Sequence, residues 1–151
     1  MDPSRMNVRE TIVAAFADTP YPGNDNISAP IGDDEGTKQY FRGTTWQGHS
    51  PRNLRLHAQA LSFFTPEAYR YFLPAFMLAE IDDPETADVI AEGILFDFTD
   101  GSFREARLRL FSTKELAAVA AFFDECAVRY PDYHDSWRSP ADELRRSIST
   151  A

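Results

Sequence analysis

LSFFTPEAYRYFLPAFMLAEI, residues 61–81, decides the fold. It holds six of the chain's 20 aromatic residues and only three charges, Glu67, Arg70 and Glu80. The stretch reads as a buried helix with a defined start. Thr65 suits the N-cap, Pro66 suits the first helical position, and Glu67 falls where the helix dipole favours an anion. Phe72, Phe76 and Ala79 follow Ala68 and Tyr69 at helical spacing, and Leu73, Met77 and Ile81 form a second row beside them. Apolar residues on both rows predict a helix covered on more than one side. Pro74 predicts a kink or a break, because its ring clashes with the carbonyl of Arg70 and removes one backbone bond. A membrane span is excluded by three charges and two prolines, each costly in lipid.

Outward from this helix the pattern stays helical. Residues 51–60 predict a helix with Leu54, His57 or Ala58, and Leu61 on one face. Residues 37–43 predict a short helix that turns Tyr40 and Phe41 inward, and Trp46 follows in a turn. Residues 6–18 read as an amphipathic helix carrying Val8, Ile12 and Ala15/Phe16 on one side. Residues 19–36 form a long loop rich in Pro, Gly, Asn and Asp. Such a loop is uncommon in a compact domain, and it reads as an ordered turn packing Tyr21 and Ile27 on the core before it reads as a binding loop.

On the C-terminal side, Asp83 serves as an N-cap with Pro84 at the first position of a further helix. Ala87, Ile90, Ala91 and Ile94/Leu95 give its apolar side, with residues 94–98 open to an extended alternative. Residues 99–101 are a turn. Ser112 and Glu115 form a capping box, and Leu116, Val119, Ala120, Phe123, Ala127 and Tyr130 then make one stripe that Pro131 stops. A last short helix is expected from Ser139 and Pro140, with Asp142 and Glu143 early and Arg145 and Arg146 late, as the dipole prefers. The expected fold is all-α: a compact single-domain bundle of about six helices with one long loop near the N-terminus.

The central stretch resembles an uncharacterised bacterial family, a domain of unknown function, whose members carry an LSFFTPEAYRYFLPAFM-like core. A YPGNDNI-like segment lies upstream, here residues 21–27, and a helix like the LAAVAAFF of residues 116–123 lies downstream. The resemblance covers roughly residues 15–123. It implies a bacterial, helical, single-domain protein and carries over no catalytic residue.

The 151 residues fit one domain, and a 43% hydrophobic content suffices for a core without staples. A single cysteine, Cys126, rules out an intramolecular disulfide and fits a reducing cytosol. The N-terminal segment shows no apolar signal region, so a cytoplasmic location is expected. A formal net charge of −9 repels phosphate backbones and anionic membrane surfaces, and it attracts basic partners. The charge is concentrated. Residues 80–100 hold Glu80, Asp82, Asp83, Glu85, Asp88, Glu92, Asp97 and Asp100 with no Lys or Arg, so the window carries −8. A second base-free window, residues 18–35, holds Asp18, Asp25, Asp33, Asp34 and Glu35. Arg104, Arg107, Arg109 and Lys114 follow as a counterweight.

No motif carries chemistry. His49, His57 and His134 have no histidine partner at helical spacing, and Cys126 has no cysteine neighbour, so neither metal nor cofactor is expected. Residues 97–101 lack the spacing of a calcium loop. No G-x-S-x-G and no phosphate-binding glycine loop occurs. No catalytic residue is assigned. The expectation is a non-enzymatic protein-binding module, in its most concrete form an immunity-like or antitoxin-like inhibitor. It would dock a basic protein on Asp82, Asp83, Glu85, Asp88 and Glu92, with Asp88 and Glu92 four residues apart on one helix face. The alternative is a small-molecule-binding or enzymatic domain with a pocket lined by Trp46, Tyr69, Phe72 and Phe76.

Overall fold

Two 17-residue helices carry the architecture. They are α5 (Pro66–Asp82) and α9 (Thr113–Arg129). The computed structural model describes residues 7–29 and 35–149, with side chains described except at 101–104. Ahead of α5 come α1 (Val8–Phe16), α2 (Thr37–Phe41), α3 (Pro51–Leu56) and α4 (Ala60–Phe63). Between the long helices lie α6 (Pro84–Ala87), α7 (Ile90–Thr99) and α8 (Gly101–Leu108). The 3-10 turn η1 (Pro131–Tyr133) and α10 (His134–Ser149) complete the chain. The described residues thus form ten α-helices and no strand, so the all-α expectation holds with more and shorter helices than the expected six.

The start of α5 is the one its sequence predicts. The Ala68 N–H donates to Thr65 Oγ1 at 3.1 Å, and Pro66 holds the first position. Thr65 also ties down the preceding loop: its hydroxyl donates to the Asn26 carbonyl at 2.9 Å and its N–H to the Ile27 carbonyl at 3.1 Å. Ile27 is fully buried, and Tyr21 sets its ring edge-on against Tyr71 at 5.4 Å. The described part of residues 19–36 is therefore an ordered turn on the core. Asp33 and Asp34 of the second acidic window, the Met6 start of the first helix and the Arg104 side chain lie outside the described residues and side chains.

The helix runs through Pro74 without breaking. Proline in a helix interior costs about 3 kcal/mol. Burial of each large apolar side chain contributes roughly 1.5–3 kcal/mol, and Phe72, Leu73, Phe76 and Met77 are all fully buried around it. Packing outweighs the lost bond. One side of α5 faces a ring cluster in which Phe72 stacks on Phe64 at 5.3 Å and meets Phe41 at 4.8 Å. On another side Tyr69 donates to Asp97 of α7 at 2.9 Å, while Arg107 of α8 lies 4.3 Å over its ring. The last carbonyls of α5 have no cation in their own sequence. Arg129 of α9 supplies it, donating to the Glu80 and Ile81 carbonyls at 2.9 and 3.1 Å.

Three boundaries differ from expectation. Residues 51–60 split into α3 and α4 around His57. The helix expected from Asp83 through Leu95 splits into α6 and α7, because Asp88 sits at φ +55 and ends α6. The final helix starts at His134, not at Ser139, and Pro140 is buried inside it beside Trp137, Ala141 and Leu144. Residues 94–98 are helical within α7. The Ser112–Glu115 capping box forms as read, and Tyr130 caps the other end of α9 before Pro131.

Candidate functional site

The acids of residues 80–100 have separate fates. Glu80 is 1% exposed, and the Tyr130 hydroxyl donates to its Oε1 at 2.6 Å. Asp97 is buried, takes the Tyr69 hydroxyl and pairs with Arg107 at 3.5 Å. Burial pushes both carboxyls above the usual carboxylate range, against the pull of Tyr130 and Arg129 on Glu80 and of Arg107 on Asp97. Neither acid belongs to a surface.

The five residues expected to dock a partner are likewise divided. Asp82 takes a bidentate pair from Arg9, with both N–O distances 3.1 Å. Asp83 caps α6, accepting from the Thr86 N–H at 3.3 Å and hydroxyl at 2.7 Å. Asp88 pairs with Arg55 at 3.1 Å. Glu85 and Glu92 are exposed and have no hydrogen-bond or ion-pair partner among the described residues. The shared helix face expected for Asp88 and Glu92 does not form, because Asp88 lies in the turn before α7. Glu92 instead falls in the first turn of α7, where the dipole favours it.

Glu92 has apolar neighbours on its own face. Glu92 and Phe96 lie one turn apart on α7 and Val89 is its N-cap, and Val89 and Phe96 are 49% and 61% exposed. Around the side of α7 opens a groove of about 380 Å³. Leu95 and Glu92 form one wall. Tyr130, Tyr133, Ser136 and Trp137 of the η1–α10 elbow form the other. The signal in the sequence is three aromatic residues at 130, 133 and 137 around Pro131, on a segment whose amphipathic reading stops at Tyr130.

A second cleft, about 280 Å³, lies between α1, α5 and the turn before α3. Trp46, His49, Leu78 and the Arg9–Asp82 pair line it. His49 shares its Nδ1 with the Tyr40 hydroxyl at 3.0 Å, and His57 stacks on the Tyr40 ring at 4.0 Å. Burial lowers the His49 pKa, the Thr45 backbone opposes the fall, and His57 adds a smaller downward push. The fold thus brings two histidines together that sequence spacing leaves apart. Of the four residues expected to line a pocket, Trp46 lines this cleft. Tyr69, Phe72 and Phe76 are fully buried core side chains.

Cys126 is buried, and burial next to Glu80 raises its thiol pKa. No cluster of three metal-binding side chains occurs among the described residues, and no helix among them is long and apolar enough to cross a membrane. No curated protein and no solved structure matches the chain. A family model does match, over residues 5–141. The match spans nearly the whole chain, which carries the LSFFTPEAYRYFLPAFM core at its centre, and the chain therefore belongs to DUF6714, a family of unknown function.

Proposed function

We propose that the protein is a non-enzymatic binding module that docks a basic partner protein over the exposed surface of α6 and α7. The observation that carries this reading is the single face of α7 on which Val89 and Phe96 flank Glu92. Exposed apolar side chains beside an acid with no internal partner suit a surface that becomes buried against lysine or arginine. Glu85 on α6 extends the charge. Asp82 and Asp88 are partly neutralised by Arg9 and Arg55 and act as a weaker rim. A net charge of −9 supports steering of a basic partner and disfavours nucleic acid. Immunity-like or antitoxin-like inhibition of a cytoplasmic basic protein is the most concrete form of this activity.

The test is a competition of variants in a pull-down from the native host. A protein retained by the wild type and by Val128→Ala on α9, and lost by both Phe96→Ala and Glu85→Lys/Glu92→Lys, supports the reading. Retention by every variant removes it.

A further inference from the structure

The groove beside α7 has a chemistry of its own. We infer that it binds a small organic cation, an alkylammonium group on a short apolar body. Three aromatic side chains, Tyr130, Tyr133 and Trp137, line a space of about 380 Å³ together with Leu95. Aromatic faces attract a cation through their quadrupole, most strongly where water is displaced. Glu92 adds a carboxylate to the lining, and no Lys, Arg or His lines the groove among the described residues.

A second carboxylate lies behind the wall. Glu80 holds the Tyr130 hydroxyl through Oε1, and its buried Oε2 has no hydrogen-bond partner among the described residues. A phenol that donates to a carboxylate carries more electron density on its ring, which strengthens its attraction for a cation. The nearby cation, Arg129, draws on Glu80 but is not among the residues that line the groove. It donates to the carbonyls of Glu80 and Ile81 and pairs with Glu125 at 3.2 Å.

Other ligand classes fit less well. An anion meets the carboxylate of Glu92 in the lining. A hard divalent ion needs six or so oxygen ligands, carboxylates foremost, and the described lining offers one carboxylate beside the neutral hydroxyls of Ser136, Tyr133 and Tyr130, the last already donating to Glu80. A neutral apolar ligand would desolvate Glu92 with nothing in return. An alkylammonium satisfies both the rings and the acid. A free small amine is the occupant, because the groove has the volume of a whole small molecule. The site needs no macromolecule and shares only Glu92 with the docking surface proposed above.

The experiment is a titration of ¹⁵N-labelled full-length protein with butylammonium at constant ionic strength. Comparators are 1-butanol and acetyl-lysine methylamide. Saturable shifts are expected at Leu95, Tyr133, Ser136 and the Trp137 indole, with Kd on the order of 1 mM. Butanol is expected to bind at least about tenfold more weakly, as the loss of cation–π and charge contacts requires. Tyr133→Ala and Glu92→Gln, both at exposed positions, are each expected to weaken binding about three- to tenfold. Phe96→Ala, which removes docking, leaves amine affinity unchanged, so the two readings fail separately. Absence of saturable shifts at these residues, equal affinity for butanol, or unchanged affinity in both groove variants overturns the site. Tighter binding of acetyl-lysine methylamide than of butylammonium overturns the free amine as occupant.

Discussion

Replacing Arg70 by methionine tests how the long helices are joined. Glu115 of α9 is 1% exposed and accepts three hydrogen bonds. Arg70 Nε donates from α5 at 2.9 Å, the Ser112 N–H donates at 2.7 Å to close the capping box, and the Thr19 hydroxyl donates from the loop after α1. Removing one partner from a buried ion pair costs about 3–5 kcal/mol, because the other charge is left uncompensated. Two donors to Glu115 survive in Arg70→Met, so the low end applies, about 3 kcal/mol. In a chain of this length that lowers the melting temperature by roughly 6–12 °C. Glu115→Gln in the same background removes the stranded charge while keeping acceptors for Ser112. The double variant is therefore expected to recover at least about 1 kcal/mol of the loss, a coupling typical of contacting residues. Urea titration followed by the fluorescence of the buried Trp46 and Trp137 reads both numbers. A loss below about 1 kcal/mol for Arg70→Met, or no recovery in the double variant, refutes the reasoning.

Phe72→Ala and Phe76→Ala each empty a fully buried aromatic site and are expected to cost about 3–5 kcal/mol by urea titration; costs below about 1 kcal/mol for both contradict the placement of the core on α5. Glu80 has its folded pKa raised by burial, so the folded state holds its proton more tightly than the unfolded chain. Its contribution is present below the unfolded carboxyl pKa and is lost as pH rises through the folded value. Glu80→Gln should accordingly flatten the fall in stability above the ordinary carboxyl range, and an unchanged slope in denaturation across that range argues against it. Cys126 should stay unreactive toward a disulfide reagent until urea unfolds the chain, and Cys126→Ala should cost only modest stability; rapid modification of the native protein contradicts its burial.

The parts of the fold legible in the sequence were those with local causes. Thr65, Pro66 and the Ser112–Glu115 box mark helix starts because a cap acts within one turn. The stripes of α5 and α9 are legible because helical periodicity is. Pro140 misleads for the opposite reason, and Pro74 does not break α5: their local cost is offset by packing that involves distant residues. The break at Asp88 is a backbone choice at one residue, in which Arg55, 33 residues away, holds the side chain. The acidic window shows the same limit at the site. Its count of −8 is correct, but counting cannot separate the buried Glu80 and Asp97 from the ion-paired Asp82 and Asp88, or these from the exposed Glu85 and Glu92. The groove stayed hidden because Tyr130 and Trp137 meet Glu92 and Leu95 only through the turn of the chain at η1.

Association kinetics test the docking proposal most directly. The partner retained by the wild type is passed over immobilised protein at rising salt, beside Glu85→Lys/Glu92→Lys. Asp88 is left intact there, since a lysine at that position would face Arg55 and disturb the fold. The predicted result is a wild-type association rate that falls steeply with salt and drops about tenfold or more in the double variant at low salt, with the melting temperature unchanged. Equal association rates for the two proteins, independent of salt, would contradict electrostatic docking on α6 and α7.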